Sequence, residues 1–501
     1  MLTKTQPDEL HSYTTDASNL AGGHAARVVF PETAEEVAEV LRGATEARTP
    51  VTVAGAGTGI VGGRVPFGGI VLATDRLNEI KEIVKEDAGG RAVVGAGVVL
   101  ADLRRAVESQ GLLYPPDPTE TSCFVGGTIA TNASGARTFK YGPTRRYVKR
   151  LEVALATGDV IDIARGDVRA DAFGRIRVPL AGGRAVEAQL PSYRMPRTSK
   201  HAAGYFVEPC VDLVDLFVGS EGTLGVVVEA ELKLLPKPAG LLSGVAFFAG
   251  DEQLLRFVRD AGGYSVRKRG RKVSGGFEAR ALEYFDRNSL DLLRAKYPAV
   301  PARAAGAIFF EQETTEASEE ALARAWHDLL ERDGALLDES WFAVEERDQA
   351  RLREFRHQLP VLVNEWLARH RQRKVSTDMA VPARRFGEML DFYRTTLEAS
   401  GLAHVVFGHV GDCHLHVNIL PRDDLEAKRA RDLYAEFIRR AVGLGGTISA
   451  EHGVGKIKRE YLRALYGERH LREMALLKRA FDPACILGRG NMFGEELCDV
   501  D

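Results

Sequence analysis

The stretch VTVAGAGTGIVGGRVPFGG (51–69) constrains the fold of this chain more than any other. An α/β lead-in precedes it. A short β run (28–30) is followed by Thr33-x-x-Glu36, the pattern of a capping box, then a helix with apolar Val37, Val40 and Leu41, then a buried strand over Val51–Ala54. Residues 57–62, GTGIVG, match the G-x-G-x-x-G dinucleotide fingerprint. That fingerprint works only when its last glycine opens a helix whose N-terminus takes the pyrophosphate. Here the chain continues GRVPFGG, with Pro66 and two more glycines, into a new strand over Ile70–Ala73. No helix can start there, and the acidic residue expected at the end of the next strand is missing. A Rossmann NAD site is therefore excluded. The weaker expectation survives, that exposed N–H groups in a glycine loop cradle a pyrophosphate.

Three more glycine-rich stretches follow in the same half: PPDPTETSCFVGGTIATNASGARTFKYGPTRRYV (115–148), KHAAGY (200–205) and LFVGSEGTLGVVVEAELKLLP (216–236). Any one of them alone reads as turn-rich β structure. Four together leave room for a flat ligand against the backbone. The net charge of −3 over 501 residues gives no basis for nucleic-acid binding, and RKRGRK (267–272) reads as a solvated loop in an insertion. No apolar run is long enough to span a membrane and the N-terminus is polar, so a cytoplasmic protein is expected, at most peripheral to the inner face of the membrane. Five scattered cysteines argue against a disulfide framework or an iron–sulfur cluster within the chain.

After Pro236-x-Pro238 helical patterns dominate, over 317–332, 383–399, 425–442 and 459–480, interleaved with β-like pieces at 305–312 and 404–420. The domains expected are 1–237 for a cofactor, 238–440 as an α+β cap, and 441–501 as a helical segment returning to the first. Within the cap, GHVGDCHLHVNIL (408–420) alternates from Cys413, with His414, His416 and Asn418 on one side and Leu415, Val417 and Ile419 on the other. A hairpin with the preceding AHVVFGH brings His409 near His416. Further on, SAEHGVGK places Glu451 and His452 between a β-like run (447–449) and two glycines, poor positions for core residues. Two histidines and a glutamate have the composition of an open catalytic metal site. By residue type alone, that reading and a solvated polar patch stand level.

These motifs carry a resemblance. GAGTGIVGG, PPDPTE…VGGTIATNASGARTFKYG and VGSEGTLGVV resemble the FAD-binding domain of the vanillyl-alcohol oxidase / p-cresol methylhydroxylase (PCMH) superfamily. More narrowly, they resemble its group of D-lactate dehydrogenases, glycolate oxidase flavoprotein subunits and D-2-hydroxyglutarate dehydrogenases. The resemblance implies an α+β fold, with a two-subdomain PCMH-type FAD domain, an α+β cap and a helical C-terminal segment. It places Ala54, Gly55, Ala56, Gly57, Thr58 and Gly59 at the FAD pyrophosphate. Gly126, Gly127, Asn132, Ser134 and Gly135, with Gly219, Glu221, Gly222 and Gly225, surround the rest of the cofactor. The 54–63 loop holds neither histidine nor cysteine, so non-covalent FAD is expected.

GHVGDCHLHVN with SAEHGVGK resembles the paired signature of the hydroxyacid dehydrogenases. By that resemblance His409, His416 and Glu451 hold a divalent ion, zinc or manganese. His452 is then the base, Asn418 touches the substrate, and Arg356 in REFRHQLP binds the substrate carboxylate. The activity implied is oxidation of a 2-hydroxy acid by metal-assisted hydride transfer to flavin. The electron acceptor would be separate: a quinone, an electron-transfer flavoprotein or an iron–sulfur subunit. A homodimer is allowed for. The chain departs from the signature in carrying Cys413-His414 for the usual Gly-Asn. It also carries Pro360 where enzymes of longer substrates have threonine, and no lysine aligns cleanly, Lys374 being nearest. These departures favour a small monocarboxylate such as D-lactate over D-2-hydroxyglutarate; glycolate is a further alternative. Two rivals are weaker. An ether-lipid synthase type would carry a run of histidines that is absent here. A non-catalytic electron-transfer subunit need not keep His409, His416, Glu451 and His452 together.

Overall fold

The computed structural model describes residues 1–271 and 277–498. The lead-in forms as expected, with a strand, Arg27–Phe30, and a helix, Ala34–Glu46. The Thr33 hydroxyl accepts from the Glu36 N–H at 3.3 Å, and Glu36 Oε2 reaches back to the N–H of Glu32, one residue before the cap. Val37, Val40 and Leu41 are buried with Val51 and Ile70 on one side and Val226 on the other, so this helix joins two sheets. The first sheet has the order Leu2–Lys4, Arg27–Phe30, Ile70–Ala73, Val51–Ala54, with the last three parallel. The second is antiparallel, in the order Ile80–Glu86, Gly89–Gly95, Val226–Pro236, Val148–Ala154, Val160–Ala164. No helix follows Val51–Ala54: residues 55–69 are irregular, and Gly57 and Gly62 take φ of +81° and +72°.

The third sheet is antiparallel with seven strands, running Trp341–Ala343, Gly240–Phe248, Gly306–Thr314, Ala279–Asp286, His404–Gly408, His416–Ile419, Val375–Ser376. Its central strands are apolar on both faces because both are covered. In Gly240–Phe248, Val245 and Phe247 join the core of Phe355 and Leu359 from the long helix Glu346–Arg369. Ala246 and Phe248 join the opposite core, where Trp326 stacks on Phe310 at 3.9 Å.

The expected helices form as Glu319–Asp333, Phe386–Ser400 and Asp424–Gly443, the first two ending on left-handed Gly334 and Gly401. The expected 459–480 helix is two, Arg459–Tyr466 and Glu468–Phe481, because Gly467 breaks it at φ +79°. The β-like run at 447–449 makes only an isolated bridge from Thr447 to Ala380. The basic stretch is also corrected. Residues 267–271 end the helix Asp251–Arg271, and Arg269 lies over the Phe139 ring and donates to the Phe139 carbonyl, while Lys272 falls outside the described residues. After the last helix the chain returns to the first sheet: Val51 donates to Ile486 O and Gly488 donates to Val51 O, at 2.8 and 2.9 Å. Among the described residues no helix is long and apolar enough to cross a membrane, and all five cysteines are free.

Candidate active site

The hairpin His404–Gly408 / His416–Ile419 sits beside Ala279–Asp286 in the third sheet and carries three histidines at its turn end. Gly408 permits this. It takes φ +124°, and a Cβ there would come 3.0 Å from His416 Cδ2. His409 and His416 lie 5.5 Å apart by ring centroid. No solvated polar patch forms here: His414, Asn418 and His409 are all buried, and His414 sits just outside the strand.

Each of the two histidines is held from behind. His409 Nδ1 meets Glu283 Oε1 at 2.7 Å, and His416 Nδ1 meets the Thr377 carbonyl at 2.9 Å. Both rings therefore turn Nε2 toward Glu451 Oε2, at 3.2 and 3.7 Å. Glu451 is buried. Its other oxygen accepts from Ser134 Oγ at 3.0 Å and from the ammonium of fully buried Lys200, which also donates to the Gly135 carbonyl. Burial opposes charge throughout this cluster, but the facing carboxylates win at His409, which Glu283 and Glu451 push up to about 9. At Glu451 the facing His409 and Lys200 hold the carboxyl well below its usual range against burial. Two imidazole Nε2 atoms converging on one carboxylate oxygen, each ring fixed by a partner on its other nitrogen, could hold a metal ion with an outer shell already in place. His409, His414, His416 and Glu451 each offer a ligand atom, all within 4.8 Å of one another.

His452 follows Glu451 and stacks near-parallel to His416 at 5.6 Å. Its Nδ1 lies 3.2 Å from Asp378 Oδ2. Asp378 is fully buried and also accepts from Lys458, from the Ser449 hydroxyl and from the His452 N–H. Burial works against its charge, yet His452 and Lys458 hold Asp378 well below the usual carboxylate range. Arg356 comes from the long helix, one turn before Pro360. Because Pro360 has no N–H, the Arg356 carbonyl lacks its intrahelical donor. The Arg356 guanidinium meets Glu283 Oε2 at 3.1 Å. Glu283 thus stands between Arg356 and His409, and despite burial these two hold it down to about 2. Asn418 donates to the His416 carbonyl at 3.3 Å.

Glu283, Arg356, His409, His416, Asn418, Glu451 and His452 line one cleft, whose wall also includes residues 55–59, Gly126, Gly127, Ser134, Glu221, Gly222 and Gly225. Ala54, Asn132, Gly135 and Gly219 stand behind that wall. Asn132 braces Arg145 and His201 through its amide, and a Cβ at Gly135 would fall 1.7 Å from the Asp117 carbonyl. At Gly59 and Gly127 a Cβ would meet nothing within 4 Å. Among the described residues, the amide N–H groups of 55–59 have no protein acceptor. Free donors around open space suit a pyrophosphate. Glu221 accepts from the N–H groups of Val454 and Gly455, both at 2.7 Å, and burial pushes it up to about 7. Cys123 also lies on the cleft wall, and burial pushes its thiol up to about 11.

The fold and this cleft define an FAD-linked oxidoreductase. Residues 25–164 match the family model "FAD binding domain", and residues 271–492 match "FAD linked oxidases, C-terminal domain". The chain is 32% identical to glycolate oxidase subunit GlcD of Bacillus subtilis (strain 168), over 97% of this chain and 92% of that one. It is 31% identical to D-lactate dehydrogenase of Anaerostipes hadrus, over 97% and 93%, and 28% identical to D-2-hydroxyglutarate dehydrogenase of Stutzerimonas stutzeri (strain A1501), over 98% and 95%. The solved structure of alkyldihydroxyacetonephosphate synthase shares the fold, with a TM-score of 0.64 at 15% identity over 97% of this chain and 81% of that one. The protein belongs to the FAD-linked oxidoreductase family of the glycolate oxidase, D-lactate dehydrogenase and D-2-hydroxyglutarate dehydrogenase group.

Proposed function

We propose that this protein oxidises a small D-2-hydroxy acid, D-lactate first, to the 2-oxo acid, using non-covalent FAD and a divalent ion held by His409, His416 and Glu451. The opposition of two histidine Nε2 atoms to one Glu451 oxygen carries this reading. Bound FAD supplies the hydride acceptor, and the ion a Lewis acid that acidifies the substrate hydroxyl. The chain's residues do the rest. His452, tethered through Nδ1 to Asp378, has Nε2 left to take the hydroxyl proton. Arg356 offers a planar guanidinium to the carboxylate, and Asn418 fixes the substrate beside it. Pro360 provides no hydroxyl for a longer acid, which favours D-lactate.

One observation favours a second reading. Lys374 lines the same cleft with no counter-ion among the described residues, and burial lowers its pKa. An unpartnered cation in the cleft that Arg356 also lines suits a second carboxylate, as in D-2-hydroxyglutarate. Stopped-flow bleaching of the flavin against D- and L-2-hydroxy acids decides. D-lactate should bleach it fastest. Faster bleaching by the dicarboxylate, lost in Lys374→Ala, would move the assignment, and no bleaching by any hydroxy acid would overturn it. The reduced flavin should then pass its electrons to an acceptor dye faster than to air; equal rates with stoichiometric peroxide would make the protein an oxidase.

Attachment of the flavin is expected to be non-covalent. The 54–63 loop has no nucleophile, and Cys123, the thiol on the cleft wall, stays protonated at neutral pH. Acid precipitation should leave all the yellow colour in the supernatant; colour in the pellet would refute this.

A further inference from the structure

His414 occupies the position where the paired signature carries asparagine, and its surroundings are unusual for a packing residue. It is fully buried, and while Nε2 faces a buried carboxylate, Nδ1 has no hydrogen-bond partner. Burying an imidazole nitrogen without a partner is costly, and buried polar groups in folded proteins are almost always satisfied. Its ring sits 4.5 Å from that of His416 and 5.3 Å from that of His409. Cys413, in the left-handed region at φ 54°, turns the chain so that this ring points inward. Behind it, Nε2 lies 3.3 Å from Asp378 Oδ1. A carboxylate behind one nitrogen leaves Nδ1 as the free donor, the same outer-shell relation that Glu283 has to His409.

We propose that His414 is a fourth protein ligand, so that the centre is three histidines and one glutamate and takes an ion that accepts six donors. The proposal rests on the metal reading above. The four ligand atoms lie within 4.8 Å of one another, and two bonds of about 2.1 Å across an ion span roughly 4.2 Å, so small movements close the set. A 2-hydroxy acid chelating through its hydroxyl and one carboxylate oxygen adds two donors to these four. Six-coordination suits Mn²⁺ and its octahedral relatives, whereas catalytic Zn²⁺ keeps three protein ligands and expands to five. His414 therefore selects the metal as well as holding it.

The test counts imidazoles. Holoprotein labelled with ¹⁵N-histidine and loaded with Mn²⁺ is examined by pulsed EPR, which reads nitrogen directly bonded to the ion without turnover. Three coordinated imidazoles are expected in the native chain and two in His414→Asn, with Mn²⁺ affinity in a chelator competition falling by about 100-fold. FAD content checks that the variant has folded, and the native count stands whatever the variant does. Two imidazoles in the native protein would overturn the proposal and leave the metal reading intact. No bound Mn²⁺ in the native chain would overturn the proposal and leave the metal reading to zinc, whereas Mn²⁺ affinity unchanged by His409→Ala would overturn both.

Discussion

Treatment with EDTA, and separately His409→Ala, is expected to abolish reduction of the flavin by substrate while FAD stays bound. A metal that polarises a hydroxyl contributes several kcal/mol to the barrier, and about 4 kcal/mol corresponds to roughly 10³ in rate. Stopped-flow traces of the chelated protein should show the loss, and flavin absorbance after gel filtration should show the cofactor retained. Glu451→Ala is a less clean probe of the same point. Glu451 makes the shorter of two buried ion pairs of Lys200, the other being Asp412 at 3.5 Å, and breaking a buried pair costs about 3–5 kcal/mol. Glu451→Gln keeps the volume and an acceptor for Ser134 and Lys200 while removing the negative charge. It should lose the metal without losing the fold. Normal flavin reduction by metal-free protein would give the hairpin another role.

His452→Ala should lower turnover by on the order of 10²–10⁴, the scale for loss of a positioned general base, with little change in FAD or metal content. Its Nδ1 contact with Asp378 is the only ion pair of His452 among the described residues, so the imidazole can be removed without stranding another histidine. Asp378 keeps Lys458, Ser449 and two backbone N–H groups. A variant turning over within a few-fold of the native rate would show that the proton leaves by another route.

What the chain's order of residues discloses is mostly local. The missing helix after GTGIVG was readable because Pro66 and Ile70–Ala73 leave no room for one. The hairpin was readable from its period of two and its glycines, and the long helices from their apolar stripes. Burial was less legible: the histidine face looks polar by composition yet is closed, because Glu451, Lys200 and Glu283 arrive from distant segments and supply the partners that make closure tolerable. Glu283 was missed. It sits in ARALEYFD, an ordinary alternating strand, and meets its histidine 126 residues away. Asp378 was missed for the same reason. Lys200 lay in a stretch noticed only for its small residues, and nothing nearby signals that its ammonium reaches Glu451. Within the cofactor loops the sequence could not separate glycines that face the cleft from glycines that close packing behind it. Gly127 and Gly135 look alike along the chain, and only the Asp117 carbonyl distinguishes them.

Glu221 ties the two halves of the site together. It belongs to a glycine loop of the cleft wall, yet its carboxylate is spent on Val454 and Gly455, one residue beyond the Glu451–His452 pair. The cradle and the chemistry therefore share one fastening, so that whatever orders the first also sets the second. On the function proposed here, loading of the flavin and readiness of the metal and base would be linked equilibria, and an enzyme emptied of its cofactor would relax at both ends of the cleft together.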